Sequence, residues 1–124
     1  MMAIKRRRGT AIIETPKGIL VVSHNDKTYN LPGGGVETGE NQKQATIREL
    51  KEETTLETNQ IEFLFNFEAF FNNHHVYLIE PKGTAKPNHE IKYVKYYNGT
   101  NPKISKVTYE ILKYYQANKF QSRR

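Results

Sequence analysis

A layered domain of the α/β or α+β class is what this sequence predicts. Three observations point there. Short runs rich in Ile, Val, Tyr and Phe recur along the chain, bounded by turn residues. Two longer segments carry apolar residues at helical spacing instead. Strands and helices are therefore mixed, and two helices must cover a sheet.

Arg7 to Glu14 and Gly18 to Ser23 read as strands joined by the turn Thr15-Pro16-Lys17-Gly18. His24 to Lys27 is a polar loop. Tyr29-Asn30-Leu31 is extended, because Pro32 disfavours helix at Leu31. Gly33-Gly34-Gly35 predicts a loop or a tight backbone approach. Asn41 to Thr54 predicts a helix: Asn41 is an N-cap, and Gln44 completes a capping box. Ile61 to Phe71 and His74 to Glu80 predict a hairpin turning at Asn72-Asn73. Pro81 to Asn88 is a loop, Glu90 to Tyr97 a further strand, and Asn98 to Pro102 a break. Ser105 to Asn118 is the second helix, with Ile104, Val107, Ile111 and Tyr115 at helical spacing.

Residues 1–124 amount to one domain. At 36% hydrophobic and 26% charged residues, the chain is globular and not disordered. No apolar run approaches the roughly 20 residues of a membrane span. Met1 to Arg8 is basic with no apolar core behind it, so a cytoplasmic protein is expected. The absence of cysteine excludes disulfides, thiolate metal sites and cysteine nucleophiles. A net charge of +6 suits anionic partners such as nucleotides or RNA, and solubility explains it equally well.

The informative segment runs from Leu31 to Leu56. At about 100° per residue, with Glu49 at zero, Glu53 falls at about +40° and Glu52 at about −60°. Three carboxylates share one face, with Ala45 among them one turn earlier; Ile47, Leu50 and Thr54 lie on the other side. Like charges at this spacing repel, and the C-terminal half of a helix disfavours negative charge. Arg48 and Lys51 offset part of this. A hard divalent cation offsets more, because Mg²⁺ binds through carboxylate oxygens. A solvated acidic face laced with salt bridges is the ordinary explanation of such a cluster. The preceding loop weighs against it, because Gly33-Gly34-Gly35 leaves backbone amides and carbonyls open to phosphates and cations.

These residues resemble the signature of the Nudix hydrolases. That signature sets a Gly, a Glu, an Arg-Glu pair, an aliphatic residue, a Glu-Glu pair, a Gly and an aliphatic residue in fixed register. This chain supplies Gly34, Glu40, Arg48-Glu49, Leu50, Glu52-Glu53 and Leu56. Thr55 stands where the signature has its last Gly, a left-handed helix terminator that a β-branched residue imitates poorly.

The resemblance implies an α/β/α sandwich, a mixed sheet between helices. It also implies Mg²⁺-dependent hydrolysis of a diphosphate linkage in a nucleoside di- or triphosphate-type substrate, with Mn²⁺ as a substitute ion. Glu49, Glu52 and Glu53 become metal ligands, with a carbonyl of Gly33 or Gly34 as a further one. One of the three acts as base instead, with Glu53 expected as ligand and Glu49 as ligand or base, and Arg48 orients a carboxylate. Glu40 ties the loop to the helix. Gly34, Glu90, Tyr29 and Arg8 are candidate substrate contacts; for Tyr29 core packing competes with stacking on a ligand. His74 and His75 point to opposite faces of a strand and read as ordinary strand residues. The six tyrosines from Tyr93 to Tyr115 read mostly as packing.

Two other functions stay open: an enzyme trimming RNA 5′ ends, suggested by Arg6 to Arg8, and a nucleotide-binding module without catalysis. The intact carboxylate trio weighs against the second. The residues beyond the signature lack the marks of ADP-ribose, diadenosine-polyphosphate and NADH-cleaving subfamilies, which leans toward nucleoside triphosphates, oxidised ones included.

Overall fold

The structure is a computed structural model that describes residues 5–122, with side chains to residue 119. The basic start at Met1 to Ile4 lies outside the described residues. In chain order the elements are β1 (Arg6–Ile12), β2 (Glu14–Thr15), β3 (Gly18–Ser23), β4 (Gly33–Gly35), α1 (Gln42–Thr54), β5 (Glu57–Glu68), β6 (Asn72–Lys82), β7 (Tyr93–Tyr97) and α2 (Lys106–Ser122). A four-stranded mixed sheet has the order β4-β1-β6-β5. Its inner pair, β1 and β6, is parallel, and the outer pairs are antiparallel. A second, antiparallel sheet has the order β2-β3-β7.

Strand alternation sorts the apolar residues into two cores. Ile12, Ile19, Val21 and Val76 pack with Ile111, Leu112 and Tyr115 of α2. Their sequence neighbours Ala11, Ile13, Leu20 and Tyr77 pack with Leu50 of α1. Successive strand residues point to opposite faces, so each helix covers its own side. This is the α/β/α layering that the sequence led us to expect. Each fully buried branched or aromatic side chain contributes about 1.5–3 kcal/mol. Among the described residues, no helix is long and apolar enough to cross a membrane.

Four details differ from the sequence reading. The three glycines form a strand, β4, whose partners on β1 are Arg8, Gly9 and Thr10. Glycine makes this possible: Gly33 has φ 151°, and a Cβ there would meet the Gly9 carbonyl oxygen at 2.1 Å. The hairpin turns at Ala69 to Phe71, before Asn72-Asn73, because Asn72 and Asn73 are already paired with Arg6 and Arg7 of β1. The last strand starts at Tyr93 instead of Glu90, since His89 adopts φ 54° and the Ile91 N–H bonds back to the Asn88 carbonyl. Three of the six tyrosines, Tyr93, Tyr109 and Tyr114, are exposed, while Tyr115 is core.

Candidate active site

Helix α1 begins as its sequence dictates. Asn41 accepts from the Gln44 N–H, and the Gln44 side chain accepts from the Asn41 N–H. The buried face runs through Gln42, Ala45, Thr46, Leu50 and Thr54. Ala45 is therefore in the core, not on an open acidic face, and Ile47 on the supposed core side is only half-buried. On the wheel the carboxylates of Glu49 and Glu53 edge this buried stripe. The helix turns them inward, toward β1 and β4.

Glu53 is the innermost. Its Oε1 accepts from the Gly33 N–H at 3.1 Å. Loss of hydration pushes its carboxyl up to about 8; the Gly33 bond opposes the shift and neighbouring Glu49 adds to it. No ion pair to Glu53 is found among the described residues. Glu49 is also raised, first by desolvation, with Arg48 pulling the other way. A Cβ on Gly34 would sit 2.3 Å from the Glu49 carboxylate, so loop and carboxylate touch only because that side chain is missing.

Arg48 organises the outer acids. Its Nε donates to Glu40 at 2.6 Å and its Nη2 to the other Glu40 oxygen and to the Gly35 carbonyl, both at 3.1 Å. Its Nη1 reaches Glu49 at 3.1 Å and Glu52 at 3.2 Å. The bond from Arg48 holds Glu40 below the usual carboxylate range. Loop and helix are thus joined through one guanidinium, a geometry that the planar fork of arginine suits and lysine does not.

Among the described residues no three acidic or histidine side chains yet converge as a metal would require. The guanidinium stands between Glu49 and Glu52. The donor set is nevertheless one a hard divalent cation fits. It is made of oxygen alone, and it includes a desolvated carboxylate, Glu53, that lacks a cationic neighbour in contact.

Gly33, Glu49, Glu52 and Glu53 line one wall of a cleft of about 400 Å³, with Arg8, Thr10 and His74 on its floor and Thr108 and Ile111 of α2 also in its lining. A family model for the NUDIX domain matches residues 5–112. The chain belongs to the Nudix hydrolase family. A protein assigned to that family from Chromobacterium violaceum is 39% identical, at a TM-score of 0.87, over 94% of this chain and 80% of that one. A MutT Nudix hydrolase from Burkholderia pseudomallei shares the fold at a TM-score of 0.78 and 18% identity, covering 90% of this chain and 98% of its own. A bifunctional NMN adenylyltransferase/ADP ribose pyrophosphatase from Francisella tularensis, solved with AMP and a manganese ion, matches at 0.70 and 22% identity. It covers 94% of this chain and 42% of that one.

The remaining candidates of this Nudix hydrolase divide. Arg8 and Glu90 line the cleft with the trio. Glu90 is brought there by a loop that caps α1: the Lys86 and Asn88 N–H groups donate to the Thr54 and Glu53 carbonyls. Tyr29 lies away from the cleft lining: it is 1% exposed in the α2-side core, and burial, with the bond its hydroxyl donates to Asp26, raises its pKa. Thr55 does end the helix in the left-handed conformation, at φ 66°. His74 was missed. It is 6% exposed, bonded to Thr10 and part of the cleft floor. No local pattern marks it, because Thr10 is a residue of another strand.

Proposed function

We propose that this Nudix hydrolase cleaves the diphosphate linkage of a nucleoside di- or triphosphate-type substrate, with Mg²⁺, or Mn²⁺ in its place, at the carboxylates. The observation that carries the reading is Glu53: an inward-turned, desolvated carboxylate held by a glycine-loop N–H, with two more acids beside it. Glu49, Glu52, Glu53 and the Gly33 carbonyl would hold the ion, which would neutralise phosphate charge and polarise the reacting phosphoryl group. The bare backbone of Gly33 and Gly34 lets phosphates approach closely. Arg8 adds positive charge on the same floor. Arg48, braced by Glu40, sets the positions of Glu49 and Glu52. Glu49, whose carboxyl burial holds above its ordinary range against the pull of Arg48, is the ligand or the base; as base it accepts a proton from the attacking water as the water's oxygen bonds to phosphorus and the bridging P–O bond breaks.

The test is a panel of nucleotides with Mg²⁺, following phosphate and pyrophosphate release separately. Turnover is expected with Mg²⁺ and none with EDTA. Glu53→Gln keeps an acceptor for the Gly33 N–H, so it should fold normally yet lose at least about 100-fold in kcat. Near-normal turnover in that variant removes Glu53 from the machinery, and a wholly inert protein leaves only a binding role. Arg6 and Arg7 are exposed beside Arg8 on β1, which favours RNA 5′ ends as a second reading. Binding to RNA that weakens steeply with salt, when binding of free nucleotide does not, would select it.

A further inference from the structure

The cleft does not stop at the carboxylates. It spans the sheet from Gly33 on β4 past Thr10 on β1 to His74 on β6. His74 Nδ1 lies 2.9 Å from Thr10 Oγ1. Its other nitrogen, Nε2, is buried with no hydrogen-bond partner among the described residues. An unpaired buried polar atom of this kind is destabilising, so its survival here asks for a partner from outside the chain.

The position says what kind of partner. Adjacent strands are about 4.8 Å apart, so His74, two strands from β4, lies about 10 Å from the loop that holds Glu53. A phosphate held at Glu53 and Gly33 would sit over β4, and the group that it carries would extend across β1 toward His74, beside Arg8. Leu31, Val107 and Ile111 line the same cleft with apolar surface, which suits the faces of a planar heterocycle. We propose that His74, oriented by Thr10, hydrogen-bonds through Nε2 to the polar edge of the substrate's base and so determines which nucleoside this enzyme prefers. The inference rests on the nucleotide reading above.

Because Nε2 is buried in the free protein, its bond to the base would require the cleft wall to open around the ring. Burial and, secondarily, the charge of Arg8 lower the ring's pKa to about 4, so the ring stays neutral at physiological pH. A neutral imidazole offers at Nε2 either a donor or an acceptor, according to the tautomer that Thr10 selects. One fixed polarity discriminates between bases whose edges differ in polarity.

The experiment compares kcat/KM of the protein and of His74→Phe on the common nucleoside triphosphates and on a 5′-triphosphate of a sugar without a base. The variant should lose about tenfold on the preferred base, mostly through KM, and flatten the panel. The baseless substrate should be unaffected. In parallel, ¹⁵N-histidine spectra of the unmodified protein should show the His74 Nε2 resonance shifting with a non-hydrolysable analogue of the preferred nucleotide and staying put with tripolyphosphate. That measurement decides the matter even if the variant misfolds. Hydrolysis with preference intact in His74→Phe and a silent Nε2 would overturn the inference alone and assign the atom to a buried water. Absence of any nucleotide hydrolysis together with a silent Nε2 would overturn the nucleotide reading as well.

Discussion

Thr55 holds φ 66° and ψ 0°, where a residue with a Cβ is strained by about 1–2 kcal/mol. The conformation is kept because its N–H satisfies the Lys51 carbonyl at 2.9 Å and its hydroxyl reaches the Thr84 carbonyl at 3.3 Å. The helix thus ends where the family's glycine would end it, and the carboxylates are undisturbed. Thr55→Gly should relieve the strain, less the entropy that glycine adds to the unfolded chain, for a net gain of about 0.5–1 kcal/mol. Urea melts would show it as a raised midpoint with unchanged slope; a lowered midpoint would mean that the Thr84 contact outweighs the strain. Residues differ in how far the sequence exposes them. Glu49, Glu52 and Glu53 are legible because they lie within one helical turn, where spacing is geometry. Tyr29 was less legible: an aromatic ahead of a glycine loop serves core or ligand, with core packing the better reading, and its burial against α2 is a long-range fact. His74 was illegible, because its partner Thr10 comes 64 residues earlier.

Among the elements, α1 matters most, since its seating on β1 aims the carboxylates. That seating depends on Gly9. A Cβ at Gly9 would lie 2.0 Å from Thr46 Oγ1 and 2.3 Å from the Gln42 carbonyl, so the helix lies directly on the strand's backbone. Gln42 adds bonds to the Arg8 carbonyl and to Asn73, both at the same end. Gly9→Ala should therefore lift the N-terminal turns of α1, destabilising by about 1–3 kcal/mol. Because Glu49 lies on the lifted helix, turnover should fall while the helix content seen by circular dichroism is kept. Wild-type stability and activity in that variant would mean that the helix tilts without cost. The helices were the elements best read from sequence, because capping and periodicity are local. The strand β4 was not: three glycines carry no β preference, and the register with Arg8 to Thr10 that makes them a strand is a long-range fact. The hairpin was displaced for the same reason. A local reading favours a turn at Asn72-Asn73, and the parallel pairing of β6 with β1 claims those residues first.

At the scale of the whole molecule, two desolvated groups on one cleft link stability to pH with opposite signs. His74 has its folded pKa lowered to about 4 from 6.5, so the unfolded chain binds the extra proton between those values and stability is lost as pH falls through that window. Glu53 has its folded pKa raised to about 8 from 4.5, so the folded chain holds the extra proton and stability is lost as pH rises from 4.5 to 8. From about 4.5 to 6.5 the two slopes oppose each other. Between about 6.5 and 8 Glu53 acts without His74, and each pH unit removes at most about 1.4 kcal/mol. Thermal or urea melts in EDTA should therefore show the protein weakening from pH 6.5 to 8, relative to Glu53→Gln, in which that slope is gone. His74→Phe should differ from the parent only below pH 6.5, gaining relative stability in acid. Divalent ion binds the ionised carboxylate, so added Mg²⁺ should stabilise more at pH 8 than at pH 6 and abolish the decline. A parent and a Glu53→Gln variant with parallel profiles, unmoved by Mg²⁺, would show that Glu53 titrates like an ordinary surface acid and that no ion is held there.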